Sequence, residues 1–270
     1  MFPQTITLIS STSYLHANRK LKGIYMLNAE IKSDVLKELV EIVGTIVDEV
    51  KINLDEDGLY LKAVDPAHVA MVDLSLKSGG FESFEAEETE IGLNLNKIEQ
   101  FLKLAGSGDI IKIVHDEEGN RLTMNVRNIT QKMPLLDTAG MTDPNVPSLD
   151  LPINLKIKGE HLLSGVKASE NISDHISITA NPDGFEIFSE EDENEVEMSL
   201  GKDDLEELNA NEEVRSLFAL DYFSDMVKCV SKNTILDIDL GADYPIKIQF
   251  DFADGNGNVR YLLAPRIESS

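Results

Sequence analysis

From Met26 onward the apolar positions switch between two periods. Leu27 to Ile31 alternates as a strand does, whereas Asp34 to about Asp48 carries Val35, Leu36, Leu39, Val40, Val43 and Val47 at helical spacing. This predicts a strand followed by an amphipathic helix. Lys51 to Leu54 and Leu59 to Lys62 alternate again around Asp55-Glu56-Asp57-Gly58, the turn chemistry of a hairpin. Similar turns stand at Glu117 to Asn120, Asn181 to Gly184 and Asp254 to Asn258. Helical spacing recurs from about Asn96 to Ala105 through Ile98, Phe101 and Leu102, from Glu160 to Asn171, and from Asp221 to about Ser231 through Phe223, Met226 and Val227.

The pattern occurs twice. Residues 31 to 74 lie over residues 157 to 200 at an offset of 126 without a gap, so that Ile31, Leu36, Val40, Ile52, Gly58 and Leu74 meet Ile157, Leu162, Val166, Ile178, Gly184 and Leu200. The shared residues are the apolar contacts and turn glycine that a helix-then-hairpin unit needs. The expected fold is therefore α+β: two similar domains, residues 26 to 137 and 153 to 270, each an antiparallel sheet with two helices on one face. Thr138 to Pro152 breaks both periods with Gly140, Pro144, Pro147 and Pro152, and reads as the connector. Its apolar Met141, Leu149 and Leu151 are unusual in a plain tether, which suggests that part of it lies on a surface.

Composition narrows the function. The 270 residues suffice for two domains with proper cores. No apolar run approaches the ~18 to 20 residues of a membrane helix. A single cysteine, Cys229, excludes an internal disulfide framework, and with five histidines no zinc pattern can be assembled. The net charge of −25 argues against a protein that holds nucleic acid by bulk electrostatics. Residues 1 to 25 differ from the rest: they lack Asp and Glu and carry Arg19, Lys20 and Lys22. They read as a disordered extension or as the product of an upstream start codon, with Met26 as the functional start.

The sparse lysines recur on the expected helices, as Lys37, Lys97, Lys103, Lys167, Lys228 and Lys232, off the apolar stripes. One reading is solubility alone. The other is that four helices line one locally positive surface able to track a phosphate backbone without reading bases.

Lys62-Ala63-Val64-Asp65-Pro66-Ala67-His68-Val69-Ala70-Met71-Val72 and Asn258-Val259-Arg260-Tyr261-Leu262-Leu263-Ala264-Pro265-Arg266-Ile267 resemble the proliferating cell nuclear antigen family, the sliding clamps of DNA replication, in its archaeal form. Asp243-Tyr244-Pro245-Ile246 and the Leu-rich connector agree, and the similarity runs from about Met26 to Ser270. The resemblance implies a homotrimer closed head to tail, a pseudo-sixfold ring with double-stranded DNA in its central hole. It implies no enzymatic activity and no cofactor. It implies a processivity factor and docking platform for DNA polymerase, flap endonuclease, DNA ligase and other repair enzymes, loaded by a separate ATP-driven clamp loader. The expected location is the cytoplasm of an archaeon, at the nucleoid, or the nucleus of a eukaryote.

By resemblance, Lys37, Lys97, Lys103, Lys167, Lys228 and Lys232 face DNA, while Glu38, Gly44 and Ser164 stand where some relatives carry basic residues. A partner peptide would sit against Val64, His68, Val69, Met71, Leu149, Leu151, Pro245, Tyr261, Ala264, Pro265 and Ile267. The subunit edges would be about Met124 to Lys132 and Asn194 to Leu200, with Met124, Val126, Ile129, Val196 and Met198 at the interface. Two alternatives stay open: a subunit of a heterotrimeric checkpoint-type clamp, and an acidic peptide-binding adaptor that never encloses DNA. Asp55 to Gly58, Asp116 to Gly119 and Asp254 to Gly257 lack the spacing of a calcium loop, so no metal is expected. No P-loop, GxSxG or HExxH occurs.

Overall fold

The computed structural model describes residues 25–116 and 119–267. The expected N-terminal extension lies outside the described residues except for Tyr25, which opens the first strand, and so does half of the turn expected at Glu117 to Asn120.

The first half runs β1 (Tyr25–Lys32), α1 (Ser33–Gly44), β2 (Glu49–Asp55), β3 (Gly58–Val64), β4 (Ala70–Lys77), β5 (Ser83–Ala86), β6 (Thr89–Asn94), α2 (Leu95–Leu102), β7 (Ile110–Asp116), β8 (Arg121–Val126) and β9 (Ile129–Pro134). The second half repeats it as β10 (Ile153–Lys158), α3 (Gly159–Ser169), β11 (His175–Asn181), β12 (Gly184–Glu191), β13 (Asn194–Gly201), β14 (Glu207–Asn209), β15 (Val214–Ala219), α4 (Leu220–Val227), β16 (Ile235–Leu240), β17 (Ile246–Phe252) and β18 (Gly257–Leu263). Two similar α+β domains of antiparallel strands are thus present, with one refinement: the strands of each domain divide between two sheets. The sheet orders are β5-β1-β7-β8-β9, then β14-β10-β16-β17-β18-β4-β3-β2-β6, then β13-β12-β11-β15.

The nine-stranded middle sheet belongs to both domains. β18 pairs with β4 from Gly257 opposite Leu76 to Leu263 opposite Ala70, so the ladder runs across the domain boundary without a break. The helices need cover from two sides. On α1, Leu36, Leu39, Val40, Ile42 and Val43 are all buried, too broad a stripe for one flat sheet. Likewise α3 touches β10 of the middle sheet and β11, β12 and β13 of the four-stranded one.

The hairpin turns are built alike in both halves. Asp55 Oδ1 accepts from the backbone N–H of Asp57 and Gly58, and Asn181 Oδ1 accepts from Asp183 and Gly184. Glycine is required after each turn, because a Cβ on Gly58 would lie 2.2 Å from the Leu76 carbonyl oxygen and one on Gly184 2.1 Å from that of Leu200. These contacts also correct the repeat. Gly58 stands opposite Lys77 and Gly184 opposite Gly201, so Leu200 occupies the place of Leu76 rather than Leu74. The offset falls from 126 to 124 because the hairpin from Gly58 to Lys77 is two residues longer than the one from Gly184 to Gly201.

Candidate functional site

The helix face is continuous across the two domains. α1 packs on α2 and α3 on α4, and the C-terminal ends of α1 and α4 meet over Tyr261 of β18. The Tyr261 hydroxyl donates to the Ile42 carbonyl at 2.7 Å and lies 3.3 Å from Thr45 Oγ1 and 3.7 Å from Cys229 Sγ. Burial pushes the Tyr261 hydroxyl well above its ordinary pKa and the Cys229 thiol up to about 11. Tyr261 is wholly buried, so its assignment to the partner pocket is wrong: in an alternating strand it points to the core side with Val259 and Leu263.

Five of the six lysines proposed for DNA lie exposed on or just beyond these helices, and Lys37 is half-buried. Lys37 Nζ donates to the Ala105 carbonyl at 2.9 Å, which ties α1 to the end of α2. Lys103 pairs with Glu99 at 3.0 Å and Lys228 with Asp225 at 2.6 Å. Among the described residues, Lys97, Lys167 and Lys232 have no carboxylate within ion-pair distance. Glu38 is an opposing element: burial first, then Glu41 and Asp254, raise its carboxyl above the ordinary value despite a hydrogen bond from the Ala253 backbone. The positive lining is thin.

A second locus lies at one end of the middle sheet. The starts of β10, β17 and β4 and the ends of β16, β18 and β3 converge there, since Ile153 faces Leu240, Ile246 faces Leu263, Leu263 faces Ala70 and Val64 faces Met71. The ladder thus gathers Val64, Val69, Pro245 and Ala264, and Val69 accepts the Ala264 N–H at 2.8 Å. Half-buried Leu151 crowds Gly241, where an added Cβ would lie 2.9 Å from Leu151 Cδ2 and 3.4 Å from Tyr244. Leu149 and Pro265 are also half-buried, while His68 and Ile267 are exposed. Met71 is buried opposite Leu262 and forms floor rather than wall.

The connector reaches this end across the sheet's face. Asp143 accepts from Lys51 Nζ at 2.8 Å, and this hydrogen bond is the main cause of the raised Lys51 pKa. Thr138 donates to Glu90, and Leu136 bridges to Gly92.

The loop between β3 and β4 is shaped by a residue that sequence patterning did not single out. Asp65 is buried, and its carboxylate accepts from the N–H groups of Ala67 (2.9 Å), Val69 (2.6 Å) and Ala70 (2.7 Å) and from the Tyr222 hydroxyl of α4 (2.8 Å). Burial alone would raise its pKa, but these four donors outweigh it and hold the carboxyl below the ordinary range. The bonds impose the positive φ of 58° at His68. Exposed Tyr244 was also missed; its loop is held by buried Ser216, which donates to the Gly241 carbonyl and accepts from the Asp243 N–H.

A third locus is a pair of bare edges. β9 and β13 end the five- and four-stranded sheets. Ile129 on β9 is 39% exposed, and Val196 and Met198 on β13 are half-buried, Met198 packing toward Gly165 of α3. Met124 and Val126 were expected at the same interface, but both are buried. They sit on β8, one strand in from the edge, and face the core between β7 and β9. The other sheet ends are short or covered: Leu136 bridges to β6, Arg266 bridges to Leu217 of β15, and β5 and β14 span four and three residues.

No group of three or more His, Cys, Asp or Glu among the described residues is placed to hold a metal ion. Residues 26–139 match the model of the proliferating cell nuclear antigen N-terminal domain and residues 166–266 that of its C-terminal domain. The chain is 39% identical over 247 residues to the DNA polymerase sliding clamp of Natronomonas pharaonis, covering 90% of this chain and all of the relative. It is 40% identical over 245 residues to that of Methanosarcina barkeri, with the same coverage. Among solved structures, proliferating cell nuclear antigen of A. fulgidus bound to the C-terminal region of FEN-1 superposes with a TM-score of 0.86 at 29% identity, over 91% of this chain and all of that one.

Proposed function

The chain belongs to the proliferating cell nuclear antigen family, and from that premise we propose that it is a DNA polymerase sliding clamp, three copies closing head to tail around duplex DNA. The whole-length match to DNA polymerase sliding clamps carries the reading. The open edges β9 and β13 are what a heterologous, ring-closing contact requires. Pairing them would also remove two strands that otherwise invite aggregation.

Such a ring holds DNA by topology, so its lysines need only keep the duplex centred. Lys97, Lys167 and Lys232 are available for that, with Lys37, Lys103 and Lys228 held by local partners. Each phosphate contact adds salt-dependent affinity. A dense lining would therefore slow movement along the duplex, and the acidic total is compatible with sliding.

The rim at the end of the middle sheet would receive partner proteins. A short peptide with apolar anchors fits a groove walled by Leu149, Leu151, Pro245 and Ala264, with His68, Val69, Pro265 and Ile267 around it. The A. fulgidus protein that superposes on this chain binds a C-terminal segment of FEN-1, which supports docking of a flap endonuclease here. DNA polymerase, DNA ligase and the clamp loader would use the same groove. The clamp itself performs no catalysis, and it works where the chromosome is, in the cytoplasm of an archaeal cell.

Two measurements test this. Native mass spectrometry of the lone chain is expected to give three times 29.9 kDa, and a stable monomer would point to the heterotrimeric form. Loaded protein is expected to stay on nicked circular DNA and to leave once the circle is cut; equal release from both overturns enclosure.

A further inference from the structure

We propose that His175 is a positioning residue for the partner groove: its neutral imidazole pins the segment after β18 through Arg266, and acid releases that segment and weakens peptide binding. The inference rests on the groove reading above and adds to it a residue outside the groove that sets its state.

Residues 264 to 267 form a strap that runs from β18 to the edge of β15. The Ala264 N–H donates to the Val69 carbonyl at 2.8 Å and the Arg266 N–H to the Leu217 carbonyl at 2.7 Å. A third bond joins side chains, with Arg266 Nη1 2.6 Å from His175 Nε2 on β11. Pro265 and Ile267 flank Arg266 on either side, so what holds Arg266 also places these two groove residues.

The chemistry of the third bond fixes a protonation state. A guanidinium has five N–H donors, no acceptor and a permanent charge. Nε2 must therefore supply a lone pair, which leaves the imidazole neutral with its proton on Nδ1. Protonation fills that lone pair and sets two cations in contact. Imidazole is the side chain whose ordinary charge change falls between pH 5 and 8.

The other charged groups on this face of the sheet favour the change. Ser177 faces Leu217 on β15 and Phe188 on β12, and Phe188 faces Glu197 on β13. Side chains alternate along a strand, so His175 shares its face with Arg215 on β15, Glu186 and Glu190 on β12, and Glu195 and Glu197 on β13. Arg215 is occupied, donating through Nε to Ser177 Oγ at 2.8 Å. Continuing the β11–β12 register by two residues sets His175 opposite Glu190, and Asp174 precedes it in the chain. Acid thus turns the imidazole from an acceptor for Arg266 into a cation among carboxylates.

The first domain builds the same strap without this clasp. Gly92 bridges to Leu136 where Leu217 bridges to Arg266, and Glu49 faces Asn94 where His175 faces Ala219. Leu136 and Glu49 therefore hold the places of Arg266 and His175. That strap continues into the connector and is fastened by Thr138 on Glu90 and Asp143 on Lys51, with no imidazole involved. Only the second domain's strap is sensitive to mild acid.

Hydrogen exchange of the Arg266 amide in the full chain reads the strap directly. Its protection factor, corrected for the intrinsic rate, is expected to fall at least about tenfold from pH 8 to pH 5. His175→Gln supplies an acceptor oxygen that does not titrate and is expected to keep the high value at both; His175→Leu is expected to show the low value at both. Binding of a labelled peptide from the C-terminal region of FEN-1, read by fluorescence anisotropy, is expected to weaken at least about threefold over the same range. In His175→Gln only the part due to exposed His68 in the groove itself is expected to remain. No fall in protection in the unmodified chain, or an equal fall in His175→Gln, overturns the clasp. Loss of protection with no loss of affinity overturns the positioning role and leaves the groove standing. A peptide that binds at neither pH overturns the groove reading, and the positioning role with it, whatever the exchange shows.

Discussion

Tyr222→Phe removes one oxygen from the bond that ties α4 of the second domain to Asp65 of the first, 157 residues away. The Asp65 carboxylate keeps its three backbone donors and loses only the hydroxyl at 2.8 Å. A hydrogen bond to a charged, buried group contributes about 1.5 to 3 kcal/mol, and the phenyl ring retains the packing, so a loss of about 2 kcal/mol is expected in urea unfolding at pH 7. The pairing itself is isolated by a double-mutant cycle. In an Asp65→Asn background Tyr222→Phe is expected to cost at least about 1 kcal/mol less, the coupling expected of groups in direct contact. The pH dependence has a definite sign. Because the folded carboxyl titrates below its ordinary range, its contribution is complete above the unfolded carboxylate pKa and is lost as pH falls through the folded value. Tyr222→Phe is expected to flatten that acid limb. A change within about 0.5 kcal/mol of zero at pH 7, or an equal cost in both backgrounds, would refute the latch.

Replacing Leu149 and Leu151 with Ser is expected to weaken a partner peptide by at least about tenfold, as buried anchors do, with retention on circular DNA unchanged; fluorescence anisotropy and the retention assay separate the two. Cys229, pushed up to about 11, has a thiolate fraction at pH 8 on the order of one in a thousand. Aromatic disulfide reagents are therefore expected to label it only after unfolding. Glu38→Gln is expected to raise stability at neutral pH: the raised folded pKa means that the fold disfavours the ionised form, and the gain vanishes once pH falls below the unfolded pKa. Gly58→Ala sets a Cβ 2.2 Å from the Leu76 carbonyl oxygen at a φ of 152° and is expected to cost at least about 2 kcal/mol by thermal or urea denaturation.

Much of the architecture was legible because its signals are local. The four helices stand where the period of apolar residues puts them, and the hairpin turns follow from an Asp or Asn set three residues before a glycine, as at Asp55 and Asn181. The helices end earlier than the pattern suggested: Ile46 and Ala105 lie buried beyond the last helical turn and keep helical spacing without being helical. Spacing cannot report that. Alternation places a residue on a face of a strand but not the strand in a sheet, so it could not correct the resemblance, which put Met124 and Val126 at the edge one strand too early. The resemblance also put Tyr261 on the wrong side of its strand. The Asp65–Tyr222 bond had no periodic signature, since its partners come from different domains. The two-residue change in the repeat was hidden because Leu74 and Leu76 both have the parity of Leu200.

The ladder between β18 and β4 joins segments of one molecule, and the chain between β9 and β10, which includes the connector, tethers its two sides. Tethered strands meet at an effective concentration in the millimolar range whatever the protein concentration. In a ring of three copies, three of the six joints are of this kind and do not respond to dilution. The other three obey mass action. Dilution therefore breaks such a ring only at β9 and β13, in units of whole chains, and an enzyme that opens it has three positions to work on, each the same.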